Sequence, residues 1–190
     1  MTALEYSGFH TQTMLAQGLR TLFISLETRL HLDRPVAVYL AGGMAVHMYT
    51  GARVTTDIDA EFAGRLAIPQ DLVIDVKHED GSIRPLYFDV NYNPMFALMH
   101  EYYQEDSIAL DIGTTNFKLN VLSPLDLAVS KLARFAANDR EDIEALAGKG
   151  LISSMDLHKR ATEALVAFVG GKSMVLLNIE DAVKTVRSLE

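Results

Sequence analysis

The residues Val36-Ala37-Val38-Tyr39-Leu40 run straight into Ala41-Gly42-Gly43, and then into Met44-Ala45-Val46-His47-Met48-Tyr49. A short apolar run cut off by glycine reads as a buried strand. The residues after the glycines read as a short helix closed by Gly51. A second strand is expected over Thr56 to Phe62, because that stretch alternates: Asp57, Asp59 and Glu61 share one face, and Ile58, Ala60 and Phe62 share the other. The order of strand, glycine corner, helix and acidic strand commits the chain to a sheet with helices packed on it. It also leaves two carboxylates pointing the same way.

The rest of the chain fits around that block. Met14, Leu15, Leu19, Leu22, Phe23, Leu26 and Leu30 recur at three- and four-residue steps, which predicts a first helix over about Thr11 to Leu30. Leu72 to Val76 reads as strand or helix. Pro85 to Tyr92 reads as a strand after a turn at Asp80-Gly81, and Met95 to Gln104 reads as helical. Ile108 to Ile112 and Phe117 to Val121 form a hairpin around Gly113-Thr114-Thr115-Asn116. Helices are expected over about 124–136, 139–147, 155–169 and 173–188. The second half of the chain is therefore helical, with a soft boundary near Ser123. Ser123-Pro124-x-Asp126 opens it with a cap, a first-position proline and a first-turn acid. Gly148, Gly150 and the Gly170-Gly171 pair separate the later helices.

Composition narrows the chemistry. The chain has 190 residues and no cysteine, which excludes disulfides, thiolate metal sites and cysteine nucleophiles. Seventeen Lys and Arg stand against 25 Asp and Glu, a formal charge of −8. Such a chain is not a general nucleic-acid or membrane-surface binder. Lys131, Arg134, Arg140 and Lys159-Arg160 would make a modest basic patch if the fold gathered them. No segment approaches the roughly 20 apolar residues of a membrane span. Met1-Thr2-Ala3-Leu4-Glu5 lacks the basic start and apolar run of a signal peptide, so a cytoplasmic location is expected.

The chemistry concentrates at residues 42–59. Glycine lets backbone approach a ligand closely, and a helix N-terminus presents free N–H groups to phosphate. Two carboxylates on one strand face, with no soft ligand nearby, suit Mg²⁺ or Mn²⁺ carrying the phosphates of a nucleotide. A two-metal site needs one more carboxylate from elsewhere. Two glycines alone mark many strand–helix turns, and Asp-Ile-Asp alone marks many solvated strands. Their order and spacing together favour the metal site. The six histidines show no metal-like spacing, and His47 alone on a short buried helix reads as structural. Gly113-Thr114-Thr115 lacks the Gly-Lys-Ser/Thr of a phosphate loop.

Gly42-Gly43 followed by Asp57-Ile58-Asp59 resembles the signature of the DNA polymerase β-like nucleotidyltransferase superfamily. The wider context resembles the small bacterial nucleotidyltransferases related to abortive-infection and toxin–antitoxin toxins. Their Arg-x-Thr-x-Asp-x-Asp run is matched by Arg53, Thr55, Asp57 and Asp59. Their later Lys-Leu-x-Arg and Asp-x-x-Asp-Ile runs are matched by Lys131-Leu132-Ala133-Arg134 and Asp139-Arg140-Glu141-Asp142-Ile143. The likeness covers roughly residues 36–147. It implies an α+β fold, a mixed sheet flanked by helices over 1–122 with a helical lobe over 123–190. It also implies a magnesium- or manganese-dependent transfer of a nucleoside monophosphate from a nucleoside triphosphate to a hydroxyl of RNA or protein. A cognate antitoxin would be a partner.

By that resemblance Gly42 and Gly43 hold the triphosphate, with Arg53 and Thr55 beside them, and Asp57 and Asp59 hold the metals. Lys131, Arg134 and Asp142 serve the nucleotide, with Lys131 counted among the catalytic groups. Asp89 is the choice for third carboxylate, since Leu86-Tyr87-Phe88-Asp89-Val90 reads as a neighbouring strand; Asp111 is the reserve. Other readings stand beside these. Asp89 can be a strand-end acid at the Asn91–Asn93 turn. Lys131 can lay its stem along the core and reach water. Asp139 and Asp142 can be early-helix acids, or ion-pair partners of Lys131, Arg134 or Arg140. For the whole chain, the alternatives are a non-catalytic module that binds a nucleotide or a partner on the same fold, and a structural subunit that assembles through its helical tail.

Overall fold

A computed structural model describes residues 8–78 and 80–190. The leader reading of Met1 to Glu5 lies outside the described residues. The fold is α+β, and the described chain divides into two compact units. One comprises residues up to Tyr92 together with Ser107–Val121; the other comprises Asn93–Asp106 and Leu122–Glu190.

In the first unit, α1 (Met14–Leu30) starts where the Thr13 hydroxyl accepts the Ala16 N–H at 3.1 Å, satisfying one of the helix's orphan donors. The expected apolar stripe is the buried one: Leu15, Leu19, Leu22, Phe23 and Leu26 face inward, while Met14 at its start is half exposed. Strand β1 (Val36–Leu40) alternates between buried and half-buried positions. Helix α2 (Gly42–Thr50) follows at once and ends at Gly51, whose φ of +72° and N–H to the His47 carbonyl close it. The helix expected from Met44 therefore begins two residues sooner, and both glycines lie in its first turn.

Thr56 to Phe62 is not one strand. It forms β2 (Asp57–Ile58) and β3 (Ala60–Phe62), with Asp59 between them. The reason is the company each half keeps. β3 pairs antiparallel with β1, while β2 pairs in parallel with β5 (Ile83–Phe88). β4 (Val73–Lys77), the segment left open between strand and helix, pairs antiparallel with β5. On the other side of β1 lies β7 (Phe117–Val121), parallel to it. β6 (Ile108–Ala109) completes the expected hairpin with β7. The ladders thus run β3-β1-β7-β6 and β2-β5-β4, meeting at Asp59.

Helix α1 covers this sheet. Phe23 has no exposed surface, and its ring lies 5.0 Å from Phe88 and 5.6 Å from Phe117 in edge-on contacts. Phe62 joins both rings from β3 at 5.8 and 5.9 Å. Four aromatics from one helix and three strands therefore form the nucleus of this core, in geometries favoured by the ring quadrupoles. Gly18 brings the helix down onto β4 and β5, since a β-carbon there would lie 2.7 Å from Val76 Cγ2.

The second unit is built from α3 (Pro124–Ser130), α4 (Ala137–Gly148), α5 (Ser154–Ala167) and α6 (Lys172–Arg187). The helix expected over 124–136 stops six residues early. Lys131 to Arg134 form turns, and Phe135 takes a left-handed φ of +51°, which no helix continues through. The helix expected over Met95 to Gln104 is absent too. A three-residue 3-10 turn, Pro94–Phe96, follows the Asn93 cap. Beyond it the chain turns over buried Leu98, and His100 Nδ1 accepts the Tyr102 N–H at 3.2 Å. With Met95 and Phe96 more than 80% exposed, this stretch has no apolar stripe to bury as a helix.

Phe23→Ala tests the aromatic nucleus. Large-to-small changes at such sites cost about 3–5 kcal/mol, and urea unfolding should show that loss as a lower midpoint with an unchanged slope.

Candidate active site

The junction between the two ladders carries the expected cluster. The Ala41 N–H donates to the Asp59 carbonyl at 2.9 Å, so the end of β1 is fastened to the residue between β2 and β3. The chain then turns into α2 through Gly42, at a φ of +60°. A β-carbon on Gly42 would fall 1.8 Å from Asp59 Oδ2, so only glycine lets the helix start against that carboxylate. A β-carbon on Gly43 would lie 3.1 Å from Thr55 Oγ1. The Thr55 hydroxyl in turn donates to Asp57 Oδ1 at 2.5 Å. Gly42, Gly43, Thr55, Asp57 and Asp59 are thus gathered in one place. Each is partly open to solvent, whereas Ile58 and Ala60 are buried beneath them.

Arg53 sits in the loop before this cluster. Its Nη1 donates to the Val54 carbonyl at 2.6 Å, and its own carbonyl lies 2.7 Å from His47 Nδ1. The two candidates for a third carboxylate lie on different ladders. The Tyr87 N–H donates to the Thr56 carbonyl and the Asp89 N–H to the Ile58 carbonyl. That bonding carries the β2–β5 register, Ile58 against Phe88, one step further to bring the Asp89 backbone to the strand break at Asp59. Asp89 Oδ1 also accepts the Asn91 N–H at 2.9 Å, the strand-end role weighed above. Asp111 follows β6, at the far edge of the other ladder, and accepts the Gly113 N–H.

The donor set bears on a cation directly. Among the described residues no three Asp, Glu or His side chains are already gathered around a metal position. Mg²⁺ does not need such a cage: it keeps waters and is held by one or two carboxylates together with substrate phosphates. Two carboxylates one residue apart at the junction of the ladders, one of them against a helix start that only glycine permits, fit that habit.

Lys131, Arg134 and Asp142 lie in the second unit and are tied to one another's neighbourhood. Lys131 is buried, with Nζ 2.7 Å from Asp142 Oδ2 and 3.8 Å from Asp139 Oδ1. Arg134 holds both oxygens of Asp139 at 2.8 Å. Burial opposes ionisation of Asp139, but Arg134, the Ala136 N–H at 3.0 Å and Lys131 outweigh it and hold its pKa below the ordinary aspartate range. This is the ion-pair arrangement raised above as one reading of these acids. A second such knot lies nearby in sequence. Arg160 binds both oxygens of buried Asp126 at 2.8 and 2.9 Å and reaches Asp106 at 2.5 Å. Burial lowers the Arg160 pKa less than these carboxylates raise it. Arg140 stacks 3.8 Å over the Phe135 ring. The cations expected to form a basic patch are therefore largely matched to carboxylates or an aromatic face.

The sequence reading passed over the role of Thr55 in holding Asp57, although its spacing of two residues is the signal of a local side-chain bond. It also read Asp126 only as a first-turn acid, where the structure makes it the buried partner of Arg160.

An α+β core with an acidic pair set against a glycine-opened helix defines the nucleotidyltransferase-like class of fold. Residues 17–178 match the model of the family described as nucleotidyltransferase of unknown function (DUF6036), and the chain belongs to that family. No curated protein and no solved structure gives a significant match. Among the described residues no helix is long and apolar enough to cross a membrane.

Lys131→Met should destabilise the helical unit by about 3–5 kcal/mol, because it strands a buried carboxylate. Adding Asp142→Leu should recover much of that loss in thermal unfolding. Equal melting of the single and double variants would show that the pair is not a buried lock.

Proposed function

We propose that the protein is a magnesium- or manganese-dependent nucleotidyltransferase, moving a nucleoside monophosphate from a nucleoside triphosphate to a hydroxyl of RNA or protein. The observation that carries this reading is the contact between the Gly42 backbone and the Asp59 carboxylate, with Asp57 held beside it by Thr55. Family membership supports nucleotidyl transfer in general. The finer kinship with polymerase β-like enzymes and bacterial toxin nucleotidyltransferases rests on the motif run from Gly42 to Asp59. A toxin role with a cognate antitoxin belongs to that same reading.

In the proposed reaction the acceptor oxygen attacks the α-phosphorus in line. The bond from that phosphorus to the β-phosphate bridging oxygen breaks, and pyrophosphate leaves with the electron pair. Asp57 and Asp59 would hold the divalent cation, which neutralises phosphate charge and lowers the pKa of the attacking hydroxyl. Gly42 and Gly43 supply a helix start free of side chains, where N–H groups meet phosphate oxygens. Thr55 fixes the rotamer of Asp57, so that less ordering is left to the moment of binding. Asp89, one residue beyond β5, would receive the acceptor's proton or share the cation. Lys131, Arg134, Asp139 and Asp142 we assign to the stability of the helical unit, since their charges are already paired within it.

Incubation with each labelled triphosphate, Mg²⁺ and a cell extract should label one acceptor species. Asp57→Asn and Asp59→Asn should each reduce labelling by about a hundredfold or more, as loss of even an outer-shell partner at a metal site costs 10–100-fold. Gly42→Ala should do the same, because its methyl group and the Asp59 carboxylate cannot both be accommodated. Labelling that survives both aspartate changes would refute the mechanism.

A further inference from the structure

His47 is 5% exposed, and both of its ring nitrogens are engaged. Nδ1 lies 2.7 Å from the Arg53 carbonyl oxygen, and Nε2 lies 2.7 Å from Thr13 Oγ1. A carbonyl only accepts, so Nδ1 must carry the proton. In the neutral ring Nε2 then accepts from the Thr13 hydroxyl, whose oxygen also receives the Ala16 N–H and so caps α1. One side chain thus braces three segments: the start of α1, the body of α2, and the loop from Gly51 to Thr56. That loop has no helix or strand ladder of its own before Asp57. It nevertheless delivers Thr55 and Asp57 to the site. Helix α2, which carries His47, is also the helix whose first turn is Gly42-Gly43.

We infer that His47 is a positioning residue for the acidic pair, acting through its Nδ1–H bond to the Arg53 carbonyl. The inference rests on the reading of Asp57 and Asp59 given above. By holding Arg53 to α2, the ring fixes the distance between the glycine corner and the strand that bears the carboxylates. The Thr13 arm has a different task, which is to seat α1. A histidine that merely filled the core would not divide its two arms in this way.

The two arms can be separated by substitution. In His47→Asn the side-chain amide nitrogen can occupy the place of Nδ1, keeping the Arg53 bond and losing Thr13. In His47→Gln the side-chain amide oxygen reaches the place of Nε2 and accepts from Thr13, while the Arg53 bond is lost. Both should lower the melting temperature, as should Thr13→Val. Calorimetry with Mn²⁺ and ATP, GTP, CTP or UTP in turn should show affinity weakened about tenfold or more in His47→Gln, the scale of lost outer-shell support. His47→Asn should stay within about threefold of the unaltered protein, and Thr13→Val should match it. Amide hydrogen exchange should accelerate at residues 52–59 in His47→Gln and return toward normal in His47→Asn. Equal affinity losses in the Asn and Gln variants, or unchanged exchange over 52–59 in His47→Gln, would overturn the inference. Failure of the underlying reading is seen elsewhere: the unaltered protein would then bind no Mn²⁺–nucleotide in a manner sensitive to Asp57→Asn.

Discussion

The contact between the Gly42 backbone and the Asp59 carboxylate places three demands on the chain at once. β1 must end at Leu40, two residues before the glycine, so that the Ala41 N–H can reach the Asp59 carbonyl. Gly42 must take a positive φ, which a side chain at that position would resist. The acidic strand must break at Asp59, because its two halves answer to different neighbours. Any residue other than glycine at position 42 would push the helix away from the carboxylate and open the junction of the two ladders. The same few atoms thus determine how the sheet is assembled and how the acids are displayed.

Around that junction the architecture separates rigidity from access. Ile58 and Ala60 are buried while Asp57 and Asp59 stay partly open, so a well-packed floor supports side chains that a ligand can reach. The Phe23, Phe62, Phe88 and Phe117 cluster supplies much of that floor. It ties α1 to strands that also carry Asp57, Asp59 and Asp89 or lie next to them. Asp57 opens β2, and Asp59 and Asp89 directly follow strand residues, so the ladders limit the motion of the backbone that carries them.

How far the sequence revealed this depends on how local each signal was. The strand–glycine–helix block and the hairpin ending at Val121 are patterns of a few residues and are found close to where those patterns placed them, while the alternation over 56–62 is split into β2 and β3 at Asp59. The errors share one origin. Residues 95–104 and 131–136 have helix-compatible composition, but their fate is settled by partners far along the chain or by one backbone angle. Leu98 and His100 draw the first stretch into turns, and the left-handed Phe135 ends the second. Helix propensity is too weak to override such contacts. At the site, the glycines and Asp57–Asp59 could be read from spacing alone. The pairing of Lys131 with Asp142 was one of several readings there, because a motif match does not say whether a cation faces a ligand or a neighbouring helix.

The two claims on Asp89 illustrate the same point at the level of one side chain. Its N–H extends the ladder to the strand break at Asp59, while Oδ1 accepts the Asn91 N–H. These roles are compatible. An ionised carboxylate offers about four lone-pair sites, and one turn hydrogen bond uses a single one of them. The bond also has a directional consequence, since it fixes one oxygen and so orients the other. A strand-end acid that closes a turn therefore keeps lone pairs for other partners. Asp111 instead follows β6, at the far edge of the other ladder, where it accepts the Gly113 N–H. Between two carboxylates that composition alone could not rank, the parallel pairing of β2 with β5 is the observation that favours proposing Asp89.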